Sequence, residues 1–157
     1  MKAAGVALAL IWGAGAGAAR ADVRADAVLA PMTRFAAAFN RGDVKAAAAE
    51  HVTAPTIVDD FGPHLWVGAG AFESWYAGLA AQLKAGGIGH PTLTLGAPIN
   101  RDVGAASAYL VVPAHILLPG KAPMHLDGQF AVALKHAGTG WRIAAWAWSS
   151  PPPVPGR

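Results

Sequence analysis

Apolar residues recur at Val28, Met32, Phe35, Ala36 and Phe39, a spacing that puts one apolar stripe along a helix. Pro31 marks either the start of that helix or a bend in it. "NRGD" ends it, because Gly42 suits the left-handed position after a helix and Asp43 can cap a second, short helix, "VKAAAAE". "TAPTIVDD" is rich in β-branched residues and predicts a strand. After the turn-rich "GPHLWVGAG", the residues Phe72, Trp75, Tyr76, Leu79 and Leu83 predict a third helix from Ala71 to Lys84 with an aromatic stripe. "AGGIGHP" stops it. The rest reads as strands, "TLTLGAPI", "ASAYLVVPAHILL", "MHLDGQFAVALKH" and "WRIAAWAWSS", separated by the hairpin breaks "NRDVG", "PGKAP" and "AGTG". The order predicts an α+β fold: a curved antiparallel sheet wrapping three N-terminal helices, with a cavity between the layers for a small molecule.

The chain's 157 residues fit one domain. Its first 21 residues change the reading of both charge and hydropathy. Lys2, an apolar run and Ala19-Arg20-Ala21 have the layout of a secretory signal peptide cleaved before Asp22. The expected organisation is a signal peptide over 1–21, one domain over 22–150 and a proline-rich, extended or disordered tail over 151–157, in a periplasmic or secreted protein. The run is too short and glycine-rich for a membrane span, so none is expected after cleavage. Part of the mean hydropathy of +0.36 comes from this leader. The chain has 12 Lys and Arg against 9 Asp and Glu; without Lys2 and Arg20 the balance is 10 against 9. No basic run remains to neutralise phosphates, which argues against a nucleic-acid partner. The absence of cysteine excludes disulfides, thiolate chemistry and thiolate metal sites.

The segment "FAAAFNRGDVKAAAAEHVTAPTIVDDFGPHLWVG", residues 35–68, and the closing "GWRIAAWAWSS" resemble the SnoaL-like, nuclear transport factor 2-like superfamily, which includes the ketosteroid isomerases. With the strands between them, the resemblance covers nearly all of residues 22–150. It implies a cone-shaped α+β barrel with a pocket at its open end, often dimeric. Laid without gaps over residues 35–68, the ketosteroid isomerases place their general-base aspartate on Asp59 and their oxyanion-hole tyrosine on Phe35. Phenylalanine has no hydroxyl to donate, so the resemblance does not extend to steroid isomerisation. Their second oxyanion donor, a protonated aspartate, corresponds best to Asp127.

Of the adjacent pair Asp59 and Asp60, strand alternation lets only one enter the pocket, and the overlay selects Asp59. In an apolar cavity its pKa rises, which suits a general base or a polar anchor; the alternative is a cap on the "DDFGPH" turn. Asp60 is read as a turn residue. His64 either pairs with Asp59 as an acid–base couple or is exposed. Trp66 either roofs the cavity or packs under the third helix, and Trp75 of the aromatic stripe is a candidate lining residue. Tyr109 either offers a hydroxyl or is an ordinary sheet aromatic. His125 and Asp127 share a strand face, yet without a third ligand or an H-x-x-x-H motif no metal is expected, and no cofactor fingerprint appears. "GAGAF" at 68–72 is a tight turn before a helix rather than an anion loop. Trp141 and Ile143 anchor a core-facing set on the last strand. Trp146 and Trp148 then fall on the other face, which predicts a homodimer through that face; alternatively both line the pocket. Three readings follow: a module binding a small apolar or aromatic molecule, with Asp59 as its anchor; an acid–base enzyme (isomerase, cyclase or hydrolase) with Asp59 as base and His64 or Tyr109 assisting; and a protein–protein or dimerisation module.

Overall fold

A computed structural model describes residues 14–138, 140–152 and 154–155, with side chains over 26–138 and 140–152. Helix α1 spans Ala14–Asn40, α2 Val44–Ala49 and α3 Ala71–Ala85. Of the expected leader, residues 1–13 lie outside the described residues and 14–21 begin α1. Helix α1 runs through Pro31 without a break. Asp43 caps α2 by accepting from the Ala46 amide at 3.0 Å, so the short helix starts where the sequence places it.

The strands are β1 (His51–Val58), β2 (Leu65–Val67), β3 (Thr92–Leu95), β4 (Asn100–Val103), β5 (Ser107–Leu118), β6 (Met124–Ala137), β7 (Gly140–Ser149) and β8 (Val154–Pro155). They form one sheet in the order β2-β1-β7-β6-β5-β3. β4 and β3 share the same edge of β5, pairing with its first and last thirds. β8 draws the proline-rich tail back against Met124 and His125. The sheet is curved and unclosed, and the architecture is α+β. It is not purely antiparallel: β1 and β7 run parallel.

Alternation on β5 and β6 is regular. Leu110, Val112, Phe130, Val132 and Leu134 are buried in the core, Phe130 against Phe35 of α1, while Tyr109 and Gln129 face out. On α1, Val28, Met32, Phe35 and Phe39 supply the matching stripe. Each such side chain contributes about 1.5–3 kcal/mol by leaving water.

The last strand departs from simple alternation. Its register moves from Ala133↔Ala145 to Leu134↔Ile143, leaving Ala144 as an extra residue in a β-bulge. The bulge inverts parity, so Ile143, Trp146 and Trp148 all face inward. Trp146 is 2% and Trp148 7% exposed. The expectation of an exposed tryptophan pair on the outer face is thus corrected: these rings offer no surface to a second copy. Trp146 instead donates its indole N–H to His51 Nε2 at 3.1 Å, while His51 Nδ1 donates to the Ala47 carbonyl at 3.0 Å. Burial lowers the His51 pKa to about 4, so the ring is neutral and joins α2, β1 and β7.

Candidate functional site

Between α1, α3 and the far end of the sheet lies a cavity of about 210 Å³. Phe35 and Phe39 of α1 meet Trp75, Leu79 and Leu83 of α3 on one side. Ile116 and Leu118 of β5, Leu126 and Phe130 of β6, and Trp148 of β7 form the other. The loop leaving β1 closes one end with Asp59, Asp60 and Phe61. Gln82 is the remaining polar lining residue, apart from the two indoles. The volume falls below the range of about 300–1,000 Å³ for drug-sized ligands, which suits a molecule of roughly one or two rings.

Strand β1 ends at Val58, so Asp59 and Asp60 lie beyond the pleat, and both reach the cavity. This corrects the expectation that alternation turns Asp60 away. Asp59 is held at both oxygens: Oδ2 accepts from Trp75 Nε1 at 2.7 Å and Oδ1 from the Asp60 amide at 2.7 Å. Burial raises its pKa to about 7; the bonds from Trp75 and the Asp60 amide oppose the rise, and the Asp60 carboxyl adds to it. The outcome is an oriented carboxyl that exchanges a proton near neutrality. Asp60 Oδ2 accepts from the Ser150 hydroxyl at 3.1 Å, tying the loop to the end of β7.

A long α1 laid across a curved sheet, a short α2, an α3 after the β1–β2 hairpin, and a parallel β1–β7 pair together decide the architecture. The fold is nuclear transport factor 2-like. The solved structures that match agree. A hexachlorocyclohexane dehydrochlorinase of type 2 superposes with a TM-score of 0.71 at 10% identity, covering 90% of this chain and 93% of the other. A ketosteroid isomerase-like protein from Erwinia carotovora atroseptica gives 0.66 at 18%, covering 83% and 98%. A nuclear transport factor 2-like superfamily protein from Salmonella enterica gives 0.67 at 14%, covering 84% and 94%. No family model matches the sequence, and no curated protein matches it by sequence. At these identities the likeness speaks for the fold and not for an activity.

Within this nuclear transport factor 2-like frame, the sequence-predicted residues separate. Asp59, Phe35 and Trp75 line the cavity. His64 does not pair with the Asp59 carboxyl. It adopts φ 70°, and its Nδ1 lies 3.2 Å from the Asp59 backbone oxygen on the exposed side of the loop. Trp66 is buried against Phe61, ring centroids 5.0 Å apart, and is not a lining residue. Tyr109 is 41% exposed on the outer face of β5 and outside the cavity. Asp127 also faces out: its Oδ1 lies 2.7 Å from His115 Nδ1, and its neighbour Leu126 takes the inward position. The His115 contact holds the Asp127 pKa below the usual carboxylate range. Asp127 is therefore no second polar group for the cavity. Among the described residues no metal-ligating group of three acids or histidines forms.

The bond from Trp75 to Asp59, across 16 residues of sequence, was not legible beforehand. Its only trace was the aromatic stripe of α3. Phe39 and Phe130 carried no signal distinguishing a cavity wall from the packed core.

Proposed function

We propose that the protein binds a small, largely apolar or aromatic molecule in the cavity, with Asp59 as its polar anchor. The observation that carries this reading is an apolar chamber whose charged lining is confined to one end, where Asp59 is fixed by Trp75 and the Asp60 amide. Apolar walls supply affinity by burial and the carboxyl supplies orientation. Native mass spectrometry of purified protein, searching for a retained ligand, tests the reading. Loss of that ligand in Asp59→Asn supports the anchor, and equal retention removes it.

A second reading has a specific observation in its favour: a carboxyl with a pKa of about 7 is matched to proton abstraction at neutral pH. Asp59 would then act as the general base of an isomerase, cyclase or hydrolase. Phe35 stands where the ketosteroid isomerase overlay puts a tyrosine, and among the described residues no lysine, arginine or histidine lines the cavity to polarise a substrate oxygen. For that reason binding is preferred. The signal-peptide layout of residues 1–21 supports export as part of either reading; N-terminal sequencing of material from the native host, with Asp22 as the first residue, tests that setting.

A further inference from the structure

We propose that the ligand of this cavity is an organic cation: a small aromatic or alicyclic amine whose ammonium group sits against Asp59 and Asp60. The proposal rests on the binding reading above and adds the charge of the ligand. Three observations point the same way. First, both charged side chains lining the chamber are carboxylates. Second, every bond those carboxylates accept comes from a neutral donor: the Trp75 indole, the Asp60 amide and the Ser150 hydroxyl. Two adjacent acids, Asp59 partly buried and Asp60 exposed, are thus brought to one end of an apolar chamber, and among the described residues no cation pairs with either, an arrangement that repels itself and is relieved when a positive group enters.

Third, the walls are aromatic. Trp75 bonds Asp59 directly, Phe61 follows Asp60 in the chain, and the parallel register Val58↔Ala147 brings Trp148 level with Asp59. Phe35, Phe39 and Phe130 complete the aromatic lining. Ring faces attract cations, most strongly where water is excluded, so the same chamber that favours an apolar body also favours an ammonium head. A neutral ligand would use the rings and leave the acid pair uncompensated. An anionic ligand would meet repulsion from both acids.

The test uses three ligands of nearly one shape: naphthylmethylamine, naphthalenemethanol and naphthoate, measured by calorimetry on the mature protein. The amine is expected to bind about ten-fold tighter than the alcohol at about pH 8, with naphthoate weakest. The gap narrows toward about pH 5, where Asp59 is protonated. The groups facing Asp59 from elsewhere are neutral: Trp75 and Gln82 on α3 and Ser150 after β7, with Asp60 on its own loop and His64 on that loop's outer side. Near pH 7, amine binding to the intact protein releases protons, because the ammonium draws Asp59 to its ionised form; buffers of different ionisation enthalpy read this without any variant. In the Asp59→Asn, Asp60→Asn double variant the gap closes. An alcohol that binds as tightly as the amine would overturn the cation assignment while leaving the binding reading standing. A gap that survives in the double variant overturns it as well. If all three ligands fail to bind, both readings fall.

Discussion

Replacing Asp59 with asparagine should stabilise the protein above neutral pH and not below. The Asp59 pKa is raised from 3.8 to about 7 on folding, chiefly by burial. Between those values the folded state holds more protons than the unfolded one, so stability falls as pH rises through that window and the full penalty stands above about pH 7. Three pKa units at about 1.4 kcal/mol each set an upper bound of about 4 kcal/mol. Asparagine carries no charge and avoids that penalty. Its single oxygen can still accept from Trp75, but the Asp60 amide then meets an NH2 group, which costs about 1–1.5 kcal/mol. The net expectation is a gain of about 2–3 kcal/mol at pH 8, or a Tm higher by about 4–10 °C. At about pH 4.5, where wild-type Asp59 is already neutral, the gain disappears and the variant is slightly the weaker. Urea unfolding followed by tryptophan fluorescence at both pH values measures the two differences. Equal differences at the two pH values, or a loss at pH 8, would refute a buried carboxyl that stays ionised at a cost.

Trp75→Phe removes the donor to Asp59 Oδ2 and should raise the Asp59 pKa further, by about one unit, read as a carboxyl carbon titration by NMR. Gly128→Ala puts a Cβ 2.5 Å from the Ser149 backbone oxygen and 2.7 Å from the Trp148 ring, so the β7 backbone and the Trp148 ring must give way; a loss of about 1–3 kcal/mol in urea unfolding and an altered emission spectrum are expected. Trp146→Phe leaves His51 Nε2 without its donor in the core and should cost about 1–3 kcal/mol, measured in the same way. Tyr109→Ala and His64→Ala lie outside the cavity and should leave ligand affinity within about two-fold of wild type by calorimetry.

The helices and most strands were legible because their signals are local. The α1 stripe from Val28 to Phe39, the Asp43 cap and the aromatic face of α3 each depend on residues within a few positions of one another. The strand order and the parallel β1–β7 pair were not legible: the residues predicted an antiparallel sheet, and this pairing joins positions about ninety apart, as in Val58↔Ala147. The three-residue β2 was read as part of a turn because it is too short for alternation to register.

The site divides in the same way. That an acid at position 59 stands at the end of a strand was written in the residues, and so was the loss of a hydroxyl at Phe35. Which way each polar group faces was decided only in three dimensions. One extra residue at Ala144 inverted the parity of β7 and took Trp146 and Trp148 from the outer face to the core and the cavity wall. The end of β1 at Val58 freed Asp60 from alternation, and the regular alternation of β6, with Phe130 and Val132 inward, put Leu126 inward and Asp127 outward. Sequence determines what each side chain can do, through its chemistry and its local period. A bulge, a strand end or a bend costs little locally yet reverses which face a residue presents, so only the assembled sheet settles what those side chains meet.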